Sequence, residues 1–423
     1  MLKGLTALFM AQTAGARKNI STAGYQSKAR EYLAHLVRTR EEVSDWLTDR
    51  AFPFAKYDPE LGYIHRDRRF TEGIEDSICT YTYEPNGARH TIMYADKPCR
   101  INSYGDSVAN CEQVSDGESW QEVLAAFLGE PIRNYGIGGY SVYQAFLRMK
   151  RQERLYPAKY IILTITDPDH FWNLISWQEI TNGKNWQHFQ PPVPYVIANP
   201  ATGQFEEMPN PCPTPESLYN LCNLDWVYKR FKDDFVLKLQ LAQQAEKHQH
   251  PDPAVVEMVH DLASQQGMHS GLNYSGGDLI KTADSIYTRA GIYATTRIVE
   301  QIERFAADNK KRVLYVLYYS DMTIAKSLLR EKRFDQNLID FMQARKLPYV
   351  DLLETHAAEY AHFKPDLKSY LGRYYNDHAH PKPRGYLFFA FAILNKLVSM
   401  LDPKAAPYSG SYNCSSGINR CHA

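Results

Sequence analysis

The chain predicts an α/β fold: three layers, α/β/α, built on a parallel sheet of five strands, carrying an N-terminal extension and a large helical and loop insertion. Three observations support this. Strand-like and helix-like segments alternate between residues 99 and 165, and the alternation resumes after residue 286. Two of the strand candidates, Tyr160–Ile165 and Val313–Tyr318, are apolar at nearly every position. Strand and helix in alternation imply parallel pairing, and a strand covered by helices on both faces needs apolar residues on both.

The elements follow in order. Tyr25, Ala29, Tyr32, Leu33, Leu36 and Val37 recur at helical spacing, and Ile78–Tyr83 reads as a short strand; together these make an extension over residues 1–95. The main domain, 96–400, opens with a strand at Cys99–Tyr104 and a helix at Trp120–Leu128. A short strand, Ile132–Tyr135, then runs into Gly136-Ile137-Gly138-Gly139, and a helix at Tyr143–Lys150 leads to the apolar strand from Tyr160. Residues of about 171–282 break the rhythm with Pro-rich segments and helical stretches near Leu218–Gln244 and Ala254–Gln266, and are read as an insertion. A helix near Ile286–Asn309 restores it, followed by the strand from Val313, a helix at Asp335–Arg345, a strand at Pro348–Leu352 and a terminal helix at Gly385–Leu401. Residues 401–423, rich in Ser, Gly and Asn, read as a loose tail.

Composition narrows the partner. The 48 basic and 48 acidic residues cancel, which removes the general attraction to nucleic acid or to an anionic membrane surface. No apolar run approaches membrane-spanning length, and the short run Gly4–Ala11 is diluted at once by Gln12 and Thr13, so a signal peptide is not convincingly marked. The protein reads as soluble, with a small molecule or saccharide as partner. Seven cysteines contain no C-x-x-C pair, so no zinc or redox motif is signalled; Cys212 with Cys222, or Cys414 with Cys421, could bridge in an oxidising compartment. His65 and Arg66-Asp67-Arg68-Arg69 form a basic cluster that reads as a solvated loop.

The motifs that carry chemistry fall at the carboxyl ends of predicted strands, where open parallel sheets gather their ligands. Gly105-Asp106-Ser107 follows the first strand, the glycine turn follows the second, Thr166-Asp167-Pro168-Asp169-His170 follows the third, and Asp377-His378-Ala379-His380 precedes the last helix. A serine hydroxyl is a weak nucleophile until an imidazole takes its proton and a third group orients that imidazole. Ser107, His380 and Asp377 supply those three types. A Gly-Asp-Ser tripeptide arises by chance in roughly one chain in ten of this length, so the weight rests on the order and placement of the set.

In these residues the chain resembles the GDSL, or SGNH, hydrolase family, over roughly residues 96–170 and 311–400. The resemblance implies a flavodoxin-like sheet, no cofactor, Ser107 as nucleophile and Asp377 with His380 as its partners. It also implies an oxyanion hole made by the amides of Ser107 and of the glycine turn, with Gly139 the best match and Gly138 the second. The third motif departs: the family has Gly-x-Asn-Asp there, and this chain has Asp167-Pro168-Asp169, so the asparagine donor is absent or replaced by His170 or Asn173. Tyr140, Tyr143 and Trp172 are candidates for lining the substrate cleft.

The expected activity is therefore hydrolysis of a carboxylic ester through an acyl-enzyme, with a short O-acyl group such as acetyl on a carbohydrate as the favoured substrate, given the 30 tyrosines and 6 tryptophans. Three alternatives stand beside it. One is an acyltransferase on the same scaffold, and another is a non-catalytic glycan-binding protein, motivated by the missing asparagine. The third is a metal-dependent hydrolase using Asp167, Asp169 and His170 with Asp377, His378 and His380, although no spacing among them matches a known ligand motif.

Overall fold

The computed structural model describes residues 24–48, 50, 55–184, 189–244, 251–268, 276–363, 366–376 and 380–409. Five strands form one parallel sheet: β1 (Ile101–Tyr104), β2 (Arg133–Asn134), β3 (Tyr160–Thr166), β4 (Arg312–Tyr318) and β5 (Tyr349–Asp351). Their spatial order is β5-β4-β3-β1-β2. The chain therefore steps from β1 to one side and then returns past it to β3, which opens a crevice beyond the carboxyl ends of β1 and β3. This is the expected three-layer arrangement.

The two central strands read as they are buried. Every residue of β3 and all of β4 except Arg312 are shielded from solvent, as a strand with helices on both faces requires. On one face, Phe389 of the helix Pro383–Met400 packs on Trp120 of the helix Trp120–Leu128 and on Tyr318 of β4, with ring centroids 5.0 and 6.0 Å apart. On the other, Tyr315 of β4 donates to Glu303 Oε1 at 2.7 Å, and Phe305 meets Phe146 of the helix Val142–Leu155 at 6.1 Å. Local chemistry sets the ends of these helices. Ser119 caps one through Glu122 N, Ser141 makes a capping box with Gln144, and Pro383 sits at the first position of the last.

The chain divides into two compact units, Met1–Ile64 with His170–Arg297, and His65–Asp169 with Ile298–Ala423. The sheet belongs to the second. Residues 65–95, assigned from the sequence to an N-terminal extension, cluster with the sheet, and they include an antiparallel pair, Arg68–Thr71 with Ile78–Tyr81. The supposed solvated loop at Arg66–Arg69 thus runs into a strand at Arg68, with His65 and Arg68 buried.

In the first unit, the helical stretch expected over 218–244 breaks into a 3-10 segment, Glu216–Cys222, and two helices, Leu224–Phe231 and Phe235–Gln244. Side-chain caps cause the breaks: Asn223 Oδ1 accepts from Trp226 N at 3.1 Å, and Asp234 Oδ1 from Val236 N at 2.8 Å. A hairpin, Tyr195–Asn199 with Gln204–Met208, was not legible in the sequence. Cys212 and Cys222 are both free, so they form no bridge; Cys414 and Cys421 lie outside the described residues. Part of the supposed tail is anchored, since Asp402 N–H donates to Tyr160 Oη at 2.6 Å. Among the described residues no helix is long and apolar enough to cross a membrane.

Candidate active site

Gly105 turns the chain after β1 with φ 147, and a Cβ there would stand 2.9 Å from Thr164 O and 2.8 Å from Ala109 Cβ. The turn admits only glycine. Gly105→Ala is accordingly expected to destabilise the fold by about 2–4 kcal/mol through backbone strain and overpacking, which a urea melt will read as a lowered midpoint at unchanged slope. Asp106 then caps the next turn, its Oδ1 accepting from Val108 N at 3.0 Å, and Ser107 opens the one-turn helix Ser107–Asn110. Cys111, at φ 63, ends that helix at once, and Glu112 N–H donates back to Ser107 O at 3.0 Å. Glu112 is thereby folded over the serine.

His380 reaches the same place from the far end of the chain. Tyr375 bridges to Pro381 in antiparallel fashion, Asn376 N–H donates to His380 O at 3.1 Å, and Lys382 N–H donates to Tyr374 O at 2.8 Å. Asn376 Nδ2 also donates to Gln113 Oε1, which ties this loop to the chain just after the nucleophile turn. The outcome is a separation of 2.9 Å between His380 Nε2 and Ser107 Oγ, across 273 residues of sequence. The other ring nitrogen, Nδ1, is buried and has no hydrogen-bond partner among the described residues. Asp377 and His378 lie outside the described residues.

The glycine turn is brought alongside. Ile137 N–H donates to Gly105 O at 3.1 Å and Tyr135 N–H to Ser103 O at 2.9 Å, continuing the β1–β2 ladder past the serine turn. Gly139 takes φ 77 within this turn. Tyr140 and Tyr143, expected to line a cleft, are instead buried, at 0 and 4 % exposure. The stretch is buried as a whole: Ser141 and every residue from Val142 to Met149 are shielded with them.

The third motif resolves into structural bonds. Asp167 Oδ2 accepts from Ser320 Oγ and Thr323 Oγ1, both at 2.6 Å, capping the helix Asp321–Leu328 that follows β4. Asp169 Oδ2 accepts from Thr166 N at 3.0 Å, while Thr166 Oγ1 donates to Asp106 Oδ2 at 3.0 Å, so one threonine links two buried carboxyl groups. Asp169 Oδ1 is buried with no hydrogen-bond partner among the described residues. Burial pushes Asp106 up to about 7, against the bonds from Thr166 and Val108, and it raises Asp169 well above the usual carboxylate range with the charge of Asp106 added.

His170, Trp172 and Asn173 belong to the other unit. There His170 Nδ1 lies 2.9 Å from Thr295 Oγ1, and Asn173 Nδ2 donates to the same oxygen at 3.0 Å. These bonds engage the Asn173 amide and one ring nitrogen of His170, the two groups proposed as stand-ins for the missing asparagine, with Thr295. Among the described residues, no group of three or more His, Cys, Asp or Glu side chains is arranged to hold a metal ion.

Two charged residues linked to His380 were missed in the sequence. Glu112 Oε2 lies 3.8 Å from His380 Nε2, and Arg68 NH2 is 3.0 Å from Glu112 Oε1. A carboxylate five residues past the serine gives no spacing signal, because the left-handed break at Cys111 brings it back.

No protein-family model matches the chain, and no curated protein matches it. Among solved structures the chain is similar to a member of the lipolytic G-D-S-L family from Veillonella parvula, at 13% identity and TM-score 0.32 over 71% of this chain and 98% of that one. It is also similar to the acetylxylan esterase Axe2 from Geobacillus stearothermophilus, at 10% identity and TM-score 0.34 over 70% and 93% of the two chains. A GDSL-like lipase from Bacteroides thetaiotaomicron stands at 13% identity and TM-score 0.29, over 73% and 93%. At these values the functional reading rests on the residues of this chain.

Proposed function

We propose that the protein is a serine hydrolase of carboxylic esters, and the observation that carries this is the 2.9 Å approach of His380 Nε2 to Ser107 Oγ. Ser107 Oγ attacks the ester carbonyl carbon while its proton passes to His380 Nε2. As the tetrahedral adduct collapses, the C–O bond to the alcohol breaks and His380 returns the proton to the leaving oxygen. Water, deprotonated by the same imidazole, then cleaves the acyl-serine to a carboxylic acid and free Ser107. Asp377 is the proposed partner of Nδ1, a role supported by the buried, unpartnered state of that nitrogen among the described residues. The amides of Ser107 and Gly139, with Gly138 second, are the proposed oxyanion donors, a placement favoured by the run of the glycine turn beside Gly105.

The favoured substrate is a short O-acyl ester, acetyl above all, on a carbohydrate. A fluorophosphonate probe should label Ser107, as read by peptide mass, and p-nitrophenyl acetate should be cleaved at least tenfold faster than the octanoate, in EDTA as without it. Release of acetate from acetylated xylo-oligosaccharides checks the alcohol side. Probe attachment at another residue, with Ser107 unmodified, would remove the basis for the proposal.

A further inference from the structure

Glu112 is held in place by four separate elements, which is more than an incidental surface ion pair needs. Its own amide donates to Ser107 O at 3.0 Å, and its carbonyl accepts from Tyr386 Oη of the last helix at 2.9 Å. Arg68, on the strand Arg68–Thr71, reaches its Oε1 at 3.0 Å. On the fourth side lies the glycine turn, where a Cβ at Gly138 would stand 2.1 Å from Glu112 Oε1. Gly138 thus leaves the slot that the carboxylate fills. The side chain of Arg68 is 4% exposed and that of Glu112 18%, so solvent does little to screen the pair.

We infer that Glu112 is a positioning residue for the serine chemistry: its carboxylate, fixed by Arg68, stabilises the imidazolium that His380 becomes on taking the proton of Ser107. The inference rests on the serine-hydrolase reading. The 3.8 Å from Glu112 Oε2 to His380 Nε2 is too long to compete with Ser107 Oγ for the hydrogen bond, yet close enough for direct charge attraction. Because the imidazole is neutral before attack and charged after it, that attraction is gained only on the way to the tetrahedral adduct, and so it acts on turnover rather than on binding. The guanidinium of Arg68 on the other carboxylate oxygen limits repulsion of the developing oxyanion. Burial raises the Glu112 carboxyl, but Arg68, then His380 and Arg89, outweigh it and hold the group below its ordinary range, while Asp106 is the acidic neighbour. Glu112 therefore stays ionised wherever the hydrolase would work.

Glu112→Gln keeps the shape and removes the charge. It should lower kcat about 10–100-fold with KM changed less than threefold, slow fluorophosphonate labelling of Ser107 in proportion, and move the acid limb of the rate profile to lower pH. A folded Glu112→Gln protein with wild-type kcat and an unmoved acid limb overturns the inference, while wild-type labelling at Ser107 keeps the hydrolase reading intact. If wild type is neither labelled at Ser107 nor slowed by Ser107→Ala, the hydrolase reading itself fails, and the inference with it. Should the glutamine variant not fold, Glu112→Asp decides: lowered kcat at unchanged KM supports the role, and unchanged kcat overturns it.

Discussion

Replacing Ser107 by alanine is expected to reduce ester turnover by about 10⁴-fold or more, leaving only the residual rate that binding and oxyanion donors supply. The loss is large because, among the described residues, no other nucleophile is placed to substitute. Cys111, the nearest in sequence, is buried with its Sγ 3.1 Å from Gln121 Oε1, and burial pushes its thiol up to about 12. His380→Ala should cost as much, and the double variant no more than either single one, because the serine and the imidazole act as one unit. Steady-state kinetics on p-nitrophenyl acetate at saturating substrate reads all three. Additive losses in the double variant would show that the 2.9 Å contact between Ser107 Oγ and His380 Nε2 is not a catalytic one. Asp377→Asn tests the third member in the same assay, with a fall of about 10⁴ expected if the imidazole depends on that carboxylate for its orientation.

How much of this was legible depended on whether a feature was written in local periodicity. The parallel strands were, because a strand buried on both faces must be apolar throughout, and Tyr160–Thr166 and Arg312–Tyr318 meet that condition. Ser107 was legible as a type at a strand end and His380 as one ahead of the last helix, and the strand order puts the serine turn at the reversal of the sheet. Arg68 and Glu112 were not. The basic cluster at Arg66–Arg69 looks solvated because charge runs usually are, and only its pairing with Ile78–Tyr81 buries Arg68. The expected cleft tyrosines were hidden for a related reason: nearness in sequence to a glycine turn does not fix exposure, and Tyr140 and Tyr143 lie in a stretch buried throughout, from Tyr140 to Met149. The division of the chain at residues 64, 169 and 297 was equally hidden, the last of these falling inside the helix Gly276–Asp308.

The buried carboxyl pair beside the nucleophile gives the second large effect. Asp106 and Asp169 are both raised in the folded protein, Asp106 to about 7, mainly by burial, with Asp169 raised further by Asp106 and by Asp167. In the unfolded chain both titrate near 4. A group whose pKa rises on folding adds stability in its protonated form, so that contribution is complete below about pH 4 and drains away as pH climbs through about 7. Asp169→Asn is close to the protonated shape: its carbonyl can still accept from Thr166 N, and its amide takes the position of the unpartnered Oδ1. The variant should match wild type near pH 4 and become progressively more stable than it as pH rises toward 8, as urea melts at a series of pH values would read. A difference between the two proteins that stays constant from pH 4 to 8 would mean that the pair does not share the cost of ionisation. The turn that presents Ser107 is built on Asp106, whose carboxylate caps Val108 and accepts from Thr166. Relieving the charge conflict at Asp169 should therefore steady that turn most at the alkaline pH where an imidazole base works best.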